Sequence, residues 1–137
     1  MELTDHAPAA DIERLEALLD AFNSKATGIA NARAISILLK GDDDELYAGI
    51  HAYTWSETCF IKLLWIDEAE RKRGLGSTLL AAVEVEAIRR GCRQLMLWTH
   101  SFQAPDFYAR HGFEQLVTVP DHPLGHTDIL MVKRLPL

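Results

Sequence analysis

The fold of this chain is decided by residues 57–99, which read ETCFIKLLWIDEAERKRGLGSTLLAAVEVEAIRRGCRQLMLWT. Two apolar runs, Glu57–Ile66 and Gln94–Thr99, flank a segment whose apolar residues recur every three to four positions. That period predicts a long amphipathic helix over Gly74–Arg90, with Gly91 as its C-terminal stop. An order of strand, helix and strand is typical of a right-handed crossover between parallel strands. We therefore expect Glu57–Ile66 and Gln94–Thr99 to be parallel neighbours in one sheet.

The residues before this stretch predict one helix and two further strands. Pro8 suits the first position of a helix that ends before Gly28. Its apolar residues have spacings of three and four, which places them on one face: Ile12, Leu15, Leu19 and Phe22. The apolar runs Ala34–Lys40 and Glu45–Trp55 are separated by turn-forming glycine and aspartate residues. Together with Glu57–Ile66, they predict three consecutive antiparallel strands.

The residues after position 99 predict a short helix and a final pair of strands. The helix begins at Pro105 and runs through Arg110, and Gly112 ends it. The strands are Phe113–Val119 and Asp128–Lys133, joined by a loop of proline, histidine and glycine. The predicted fold class is therefore mixed α/β: one domain over residues 1–137 with a mostly antiparallel sheet, one parallel strand pair and flanking helices.

Composition narrows the classes of function. The chain has 137 residues and a formal net charge of −6, which disfavours general nucleic-acid binding because that binding depends on cationic contacts to phosphate. An apolar run of the ~20 residues that span a bilayer is not present, and acidic residues stand where a signal peptide would be basic. We expect no membrane partner, a cytoplasmic location, and reduced, buried thiols at Cys59 and Cys92.

A basic, glycine-containing turn precedes the long helix and predicts an anion site. Residues 71–76 read RKRGLG, and Ser77 follows them. The first turn of a helix has N–H groups without intrahelical partners, and glycine lets an anion approach them closely. The position therefore favours a phosphate or pyrophosphate site, the alternative being a solvated basic turn. The patterns GxGxxG and GxxxxGK[ST] are both absent, which argues against dinucleotide binding and nucleoside triphosphate hydrolysis.

Two motifs resemble those of the GCN5-related N-acetyltransferases, the GNAT family. Arg71-x-x-Gly74-x-Gly76 is similar to the signature [RQ]xxGx[GA], and Ala104–Phe113 resembles the second conserved segment. The resemblance implies an enzyme that moves an acetyl group from acetyl-CoA to a primary amine of a small molecule or peptide, by direct attack and without an acyl-enzyme. It also implies that the strand before the signature pairs with the pantetheine arm while the signature amides hold the pyrophosphate.

The cofactor-binding residues implied by the resemblance are Leu64, Trp65, Ile66, Arg71, Lys72, Arg73, Gly74, Leu75, Gly76, Ser77 and Ser101. The sequence departs from the family pattern at two places. Ser101 stands where many members have an asparagine, and a serine reaches less far. Residues 1–5 offer at most a stub of the strand that commonly precedes the first helix.

Tyr108 is the predicted general acid, because a phenol is protonated at neutral pH and can give its proton to a departing thiolate. The alternative is a tyrosine that only fills space beside Phe107. His100, at the end of the Gln94–Thr99 strand, is the candidate base, and a hydrogen-bonded structural histidine is the alternative. Further candidates for the base are Glu57, His51 and Asp67, or a chain of water molecules. Backbone N–H groups of the strand at residues 64–66 are expected to polarise the thioester carbonyl.

Other sequence features leave few further functions open. His122 and His126 have the spacing of helical metal ligands, but the proline and glycine between them argue against a helix, so no metal is expected. A non-catalytic acyl-CoA-binding sensor or assembly module is the alternative function. The acidic charge balance favours a cationic acceptor. An exposed edge of the last strands is the expected contact of a homodimer.

Overall fold

The computed structural model describes residues 1–136. The helices are α1 (Ala9–Thr27), α2 (Leu75–Arg89) and α3 (Pro105–Arg110), and the strands are β1 (Arg33–Lys40), β2 (Leu46–Trp55), β3 (Thr58–Ile66), β4 (Gln94–His100), β5 (Glu114–Pro120) and β6 (Thr127–Arg134), with a 3₁₀ turn at Glu68–Glu70. Every element predicted from the sequence is present, and the bounds differ by at most one residue. Within residues 1–136 the first strand follows α1.

The strands form one six-stranded sheet in the order β1-β2-β3-β4-β6-β5. The β1–β2 and β2–β3 pairs are antiparallel, whereas β3 and β4 are parallel, as the sequence predicts. The last two strands do not follow chain order, because β6 lies between β4 and β5. Burial explains this placement: β6 carries three buried apolar side chains, while every residue of β5 is exposed. The mixed α/β fold with one parallel pair is confirmed.

The hydrophobic core lies between the sheet and α2. Alternate residues of the strands point toward the helix, and the largest fully buried side chains are Ile50, Leu80, Leu95, Leu97 and Met131. Each such side chain contributes about 1.5–3 kcal/mol by leaving water. Cys59 and Cys92 are both buried in this core and unpaired, as the sequence predicts. The core therefore fixes the first turn of α2 against the end of β3.

Arg90 fastens the C-terminal end of α2 to the sheet. Its Nη1 donates to the carbonyl of Arg33 at 3.1 Å and to Oγ1 of Thr54 at 2.9 Å, and its Nη2 donates to the carbonyl of Ala34 at 3.0 Å. Glu86 lies one turn earlier, with Oε2 3.6 Å from Nε of Arg90. Hydrogen bonds that involve a charged donor are among the stronger ones, so this side chain joins helix and strands firmly.

The opposite side of the sheet is here named the open face. It is formed by side chains that alternate with the buried ones, and its large apolar members are Leu38, Tyr53, Leu63, Trp65 and Trp98. All of them are exposed, and no residue of α1 is buried. None of the helices in residues 1–136 combines the length and the hydropathy needed to cross a bilayer.

Candidate active site

The cleft of this protein arises where two parallel strands separate. β3 and β4 are paired only from Thr58 opposite Gln94 to Phe60 opposite Met96. Just beyond this point β3 has a bulge, since Ile61 pairs with Ala52 and Leu63 with His51, which leaves Lys62 as an extra residue. A bulge bends its strand and increases its twist. The strands therefore diverge, and a cleft of about 790 Å³ opens between the ends of β3 and β4.

The floor of one end of the cleft is the first turn of α2. Gly74 is the N-cap residue with φ of 74° and no side-chain cap, so the N–H groups of Leu75, Gly76 and Ser77 begin the helix without intrahelical partners. Gly74, Leu75, Gly76 and Ser77 all line the cleft. A left-handed residue followed by helical residues turns successive N–H groups into a concave anion seat. We call these four residues the amide turn.

The cations around the amide turn differ in their orientation. Arg71 and Lys72 line the cleft, and Arg110 of α3 adds a third positive charge. Nε of Arg71 donates to the carbonyl of Ile66 at 3.0 Å, which holds this side chain against the end of β3. Arg73 lies outside the cleft lining, and its Nη1 pairs with Glu70 at 3.3 Å. Two of the three predicted cations therefore face the site.

The helix α3 lies beside the amide turn at Gly76. A Cβ atom at this position would lie 3.4 Å from Cζ of Phe107 and 4.0 Å from Cγ1 of Ile66, which is ordinary van der Waals contact. Ser77 is held in turn by His111, with its Oγ 2.9 Å from Nε2. The ring of His111 also lies against Phe107, with 4.7 Å between centroids. The C-terminal end of α3 thus packs on the anion seat from one side.

Tyr108 lines the cleft from α3 and is 8% exposed. Its ring packs edge-on against Phe107 and Phe113, with centroid distances of 5.2 and 5.5 Å. Burial raises the pKa of Tyr108 from its ordinary value of 10 to about 12. Because desolvation disfavours the phenolate, this side chain is a protonated hydrogen-bond donor at neutral pH.

Comparison of the sequence with known proteins identifies relatives of this chain. A family model described as the acetyltransferase (GNAT) family matches residues 2–113. The chain is 35% identical over 115 residues to the blasticidin-S acetyltransferase of Streptomyces morookaense, covering 81% of this chain and 85% of that protein.

The chain belongs to the GNAT acetyltransferase family.

Two further relatives match this GNAT protein over nearly its whole length. Acetyltransferase Atu2258 of Agrobacterium fabrum is 30% identical over 128 residues, which are 91% of this chain and 93% of that one. The 1.9 Å crystal structure of an acetyltransferase from Bacillus cereus ATCC 14579 has a TM-score of 0.78 and 30% identity, covering 98% of this chain and 99% of that one. The prediction of a GNAT acetyltransferase is confirmed at the level of the family.

The residues that the GNAT motifs single out meet in the cleft in large part. Its lining includes ten of them: Leu64, Trp65, Ile66, Arg71, Lys72, Gly74, Leu75, Gly76, Ser77 and Tyr108. Ser101 is absent from the lining: its Oγ accepts from the N–H of Thr127 at 3.0 Å, and its own N–H donates to the carbonyl of Thr127 at 2.7 Å. These two bonds join the end of β4 to the start of β6. A cofactor contact of Ser101 stays a prediction.

His100 also lies outside the cleft lining. Its Nδ1 is 2.9 Å from the carbonyl oxygen of His122 and 3.5 Å from Oδ1 of Asp128. Since a carbonyl only accepts, Nδ1 carries the proton, and Nε2 of the neutral ring then has the free lone pair that a base needs. The ring stacks on Phe102, which does line the cleft, with 5.3 Å between centroids. Among residues 1–136, no cluster of three His, Cys, Asp or Glu side chains could hold a metal ion.

Three aromatic side chains of the cleft lining, here named the aromatic wall, were missed in part by sequence reasoning. Trp65 on β3 and Trp98 on β4 face the same side of the sheet, and Phe102 follows β4. Trp98 lies within an apolar strand run, where a tryptophan is most often a core residue, but its side chain is 42% exposed. Successive side chains of a strand point to opposite sides of the sheet. Because Leu97 and Thr99 are buried on the α2 side, Trp98 between them must face away from α2.

Proposed function

We propose that this protein transfers the acetyl group of acetyl-CoA to a primary amine of a small molecule or peptide. One observation carries the proposal: a single cleft joins the amide turn of α2, the unpaired edge of β3 and the ring of Tyr108. An anion seat, a row of free backbone groups and a protonated phenol suit a diphosphate, an amide-bearing arm and a leaving thiolate, in that order. Acetyl-CoA carries all three groups in one molecule.

The diphosphate of acetyl-CoA would lie on the amide turn. Its charge is favoured there by the unpaired N–H groups at the positive end of the α2 dipole and by the cations of Arg71 and Lys72. The pantetheine arm would extend along β3 at Leu64, Trp65 and Ile66, because this stretch lies beyond the last β4 partner. Amide groups of the arm would take the place of a missing strand.

The transfer step would proceed by direct attack of a neutral amine. The amine nitrogen forms a bond to the thioester carbon, the C–S bond breaks, and the thiolate of CoA takes a proton from the hydroxyl of Tyr108. The proton that the nitrogen loses as it becomes an amide returns Tyr108 to its protonated form. Backbone N–H groups on the free edge of β3 stabilise the oxyanion. With a pKa of about 12, Tyr108 remains protonated throughout the range where amines lose their proton.

The proton of the attacking ammonium needs an acceptor, and His100 is the side chain we propose. The hydrogen bond from Nδ1 to the carbonyl of His122 leaves Nε2 as its basic atom. His100 lies beside Phe102 rather than on the cleft lining, so one water molecule would complete the path. Exchange of His100 for glutamine should lower the rate at pH 6–7 more than at pH 9, where the amine is increasingly neutral in solution.

The acceptor proposed here is a small-molecule amine with a flat or apolar body. Trp65, Trp98 and Phe102 offer aromatic rings in the lining of the cleft, and such rings bind planar groups and cations well. The acidic net charge of −6 also favours a cationic acceptor over long distances. A relative with 35% identity is named a blasticidin-S acetyltransferase, so blasticidin S belongs among the amines tested.

The test is a panel of primary amines, including blasticidin S, mixed with acetyl-CoA and the purified protein, with release of free CoA thiol as the measurement. Exchange of Tyr108 for phenylalanine should lower kcat about 100-fold or more, while the Kd of acetyl-CoA stays nearly the same. Tyr47→Phe is the matched control, because Tyr47 is a partly buried tyrosine outside the cleft. Tight binding of acetyl-CoA without thiol release for any amine would favour the acyl-CoA sensor instead.

We also propose that residues 1–137 act as one N-acetyltransferase domain in the cytoplasm. The location is supported by the two unpaired, buried thiols, Cys59 and Cys92, since reducing compartments keep thiols in this state. Counting of alkylated cysteines by mass, after extraction into denaturant that contains an alkylating reagent, checks it: two per chain are expected, and none would contradict it.

A further inference from the structure

The helix α1 carries an apolar stripe that the rest of residues 1–136 leaves uncovered. The α1 stripe consists of Ile12, Leu15, Leu18, Leu19 and Phe22, which fall within an arc of roughly 120° at about 100° per residue. These side chains are between 44% and 69% exposed. Glu13, Glu16 and Asp20 lie outside this arc, while Asp11 lies within it in the first turn of the helix.

A helix of this kind needs a packing partner. It has 19 residues and no side-chain cap at its N-terminus, and isolated helices of about this length are only marginally stable in water. Most helical stability in proteins comes from burial of an apolar face rather than from helix propensity. The α1 stripe is therefore one half of an interface.

The open face of the sheet is unpartnered in the same way. Its apolar side chains, Leu38, Tyr53, Leu63, Trp65 and Trp98, are between 40% and 66% exposed. The other side of these strands is covered by α2, whereas the open face has no buried residue of α1 against it. One chain thus presents both an uncovered helix and an uncovered sheet surface.

The connection after α1 is anchored at one end of the sheet. Nε1 of Trp55 donates to the carbonyl of Ile29 at 3.0 Å, and the N–H of Ser56 donates to Oδ1 of Asn31 at 2.8 Å. These bonds fasten the segment after α1 to the turn between β2 and β3. The helix precedes this anchored point, and none of its residues is buried.

We propose that the protein is a homodimer in which the α1 stripe of each copy packs on the open face of the other. A twofold axis makes such an exchange self-complementary, since each copy supplies one helix and one face. A 19-residue helix is about 28 Å long and matches the width of six strands spaced by about 4.8 Å. Lys62 on the open face, with Nζ 6.0 Å from the ring centre of Tyr53, complements the acidic flank of the helix.

The exposed area is sufficient for a stable dimer. Taking about 150–250 Å² for each large side chain when fully exposed, the stripe and the face together offer on the order of 1,000 Å² per chain. A standard interface buries about 800 Å² per partner. Because Trp65 and Trp98 also line the cleft, the helix of the second copy would run along its acceptor side, a consequence that rests on the proposed function.

Mass measurement of the purified full chain by sedimentation and light scattering tests the dimer without any need for activity. The expected mass is twice 15.4 kDa at low and at high micromolar concentration. A mass of 15.4 kDa at every concentration would overturn the proposal. Failure of acetyl transfer would leave this result unaffected, so the two proposals are tested separately.

Matched variants locate the contact. Leu15→Glu with Leu19→Glu places two charges on the α1 stripe, whereas Ala10→Glu with Ala17→Glu places the same charges on the opposite side of the helix. The stripe variant should lose the dimer and the control should keep it, with circular dichroism to confirm folding. Loss of the dimer in both, or in neither, would overturn the proposal.

A third variant distinguishes helix-on-face packing from other dimers. Leu38→Glu with Tyr53→Glu changes the open face away from the cleft and should also yield a monomer; Leu38→Glu alone serves if the double variant does not fold. A dimer that survives this change would refute the proposal and would favour pairing of two α1 helices or of two β5 edges.

Discussion

Exchange of Gly76 for glutamate is the sharpest test of the amide turn. The backbone permits the change, because a Cβ atom at this position would be 3.4 Å from the ring of Phe107 and 4.0 Å from Ile66, both ordinary contacts. Gly76 lies in the first turn of α2 and lines the cleft. A glutamate there brings a carboxylate to the place where we seat the diphosphate, without removing any N–H group of the turn.

The size of the effect follows from the separation of the charges. Two like charges about 5 Å apart at an effective dielectric constant of about 20 repel by roughly 3 kcal/mol. A loss of that size weakens binding about 100-fold or more, since each 1.4 kcal/mol is about a factor of ten. Arg71 and Lys72 remain in the cleft of the variant, so some affinity for anions persists.

Titration calorimetry with acetyl-CoA measures this loss against two controls. Gly76→Ala adds only the methyl group and should bind nearly as well as the unchanged protein, which separates the effect of charge from that of size. Ala82→Glu adds the same charge to an exposed position of α2 and should also bind normally. If Gly76→Glu binds acetyl-CoA as tightly as Ala82→Glu does, the amide turn is not the diphosphate seat.

Three other properties of the molecule can be tested in the same way. Burial raises the pKa of the Cys59 thiol from 9.0 to about 12, so the unfolded chain loses this proton at lower pH than the folded protein does. The free energy of unfolding should therefore fall by about 1.4 kcal/mol between pH 8 and pH 10. Urea titrations at both pH values should show the fall, and Cys59→Ala should remove most of it. Exchange of Arg90 for methionine removes three hydrogen bonds to β1 and β2. Because each such bond contributes roughly 1 kcal/mol, the free energy of unfolding should fall by about 2–4 kcal/mol. An unchanged urea midpoint would contradict the role of this side chain. Trp98→Ala should raise the KM of the amine while the KM of acetyl-CoA stays constant, as measured by steady-state kinetics with both substrates varied. If the aromatic wall held the cofactor instead, the KM of acetyl-CoA would rise and that of the amine would stay constant.

The fold follows from the sequence wherever the signal is local. The helical period over residues 74–90 and the apolar runs on either side require only neighbouring residues, and Gly91 and the turn residues mark the ends. The order of β5 and β6 is different, because a hairpin can present either of its strands to β4 with equal local chemistry. Only the burial of Ile129, Met131 and Val132 decides between them, and burial depends on the whole sheet.

The candidate site likewise has one part that the sequence predicts and another part that depends on the folded structure. A basic turn before a long helix identifies the amide turn, since the free N–H groups come from the backbone and need no special side chain. The cleft itself depends on Lys62, whose role as an extra residue is visible only once β3 is aligned with β2. The orientation of Arg73 toward Glu70, and of Ser101 toward Thr127, likewise depends on partners that a linear pattern does not reveal.

The single extra residue at Lys62 has a consequence for the way this pocket could be lost or created. Removing it would restore a strict two-residue alternation along β3, with Leu63 still opposite His51 and Leu64 still opposite Ile50, and would remove the bend that the bulge introduces. The strand could then continue its hydrogen-bonded pairing with β4 beyond Phe60, and the gap between the two strands would close. A single extra residue in the backbone, rather than the chemistry of any side chain, therefore lies at the point where β3 leaves β4 and the cleft begins.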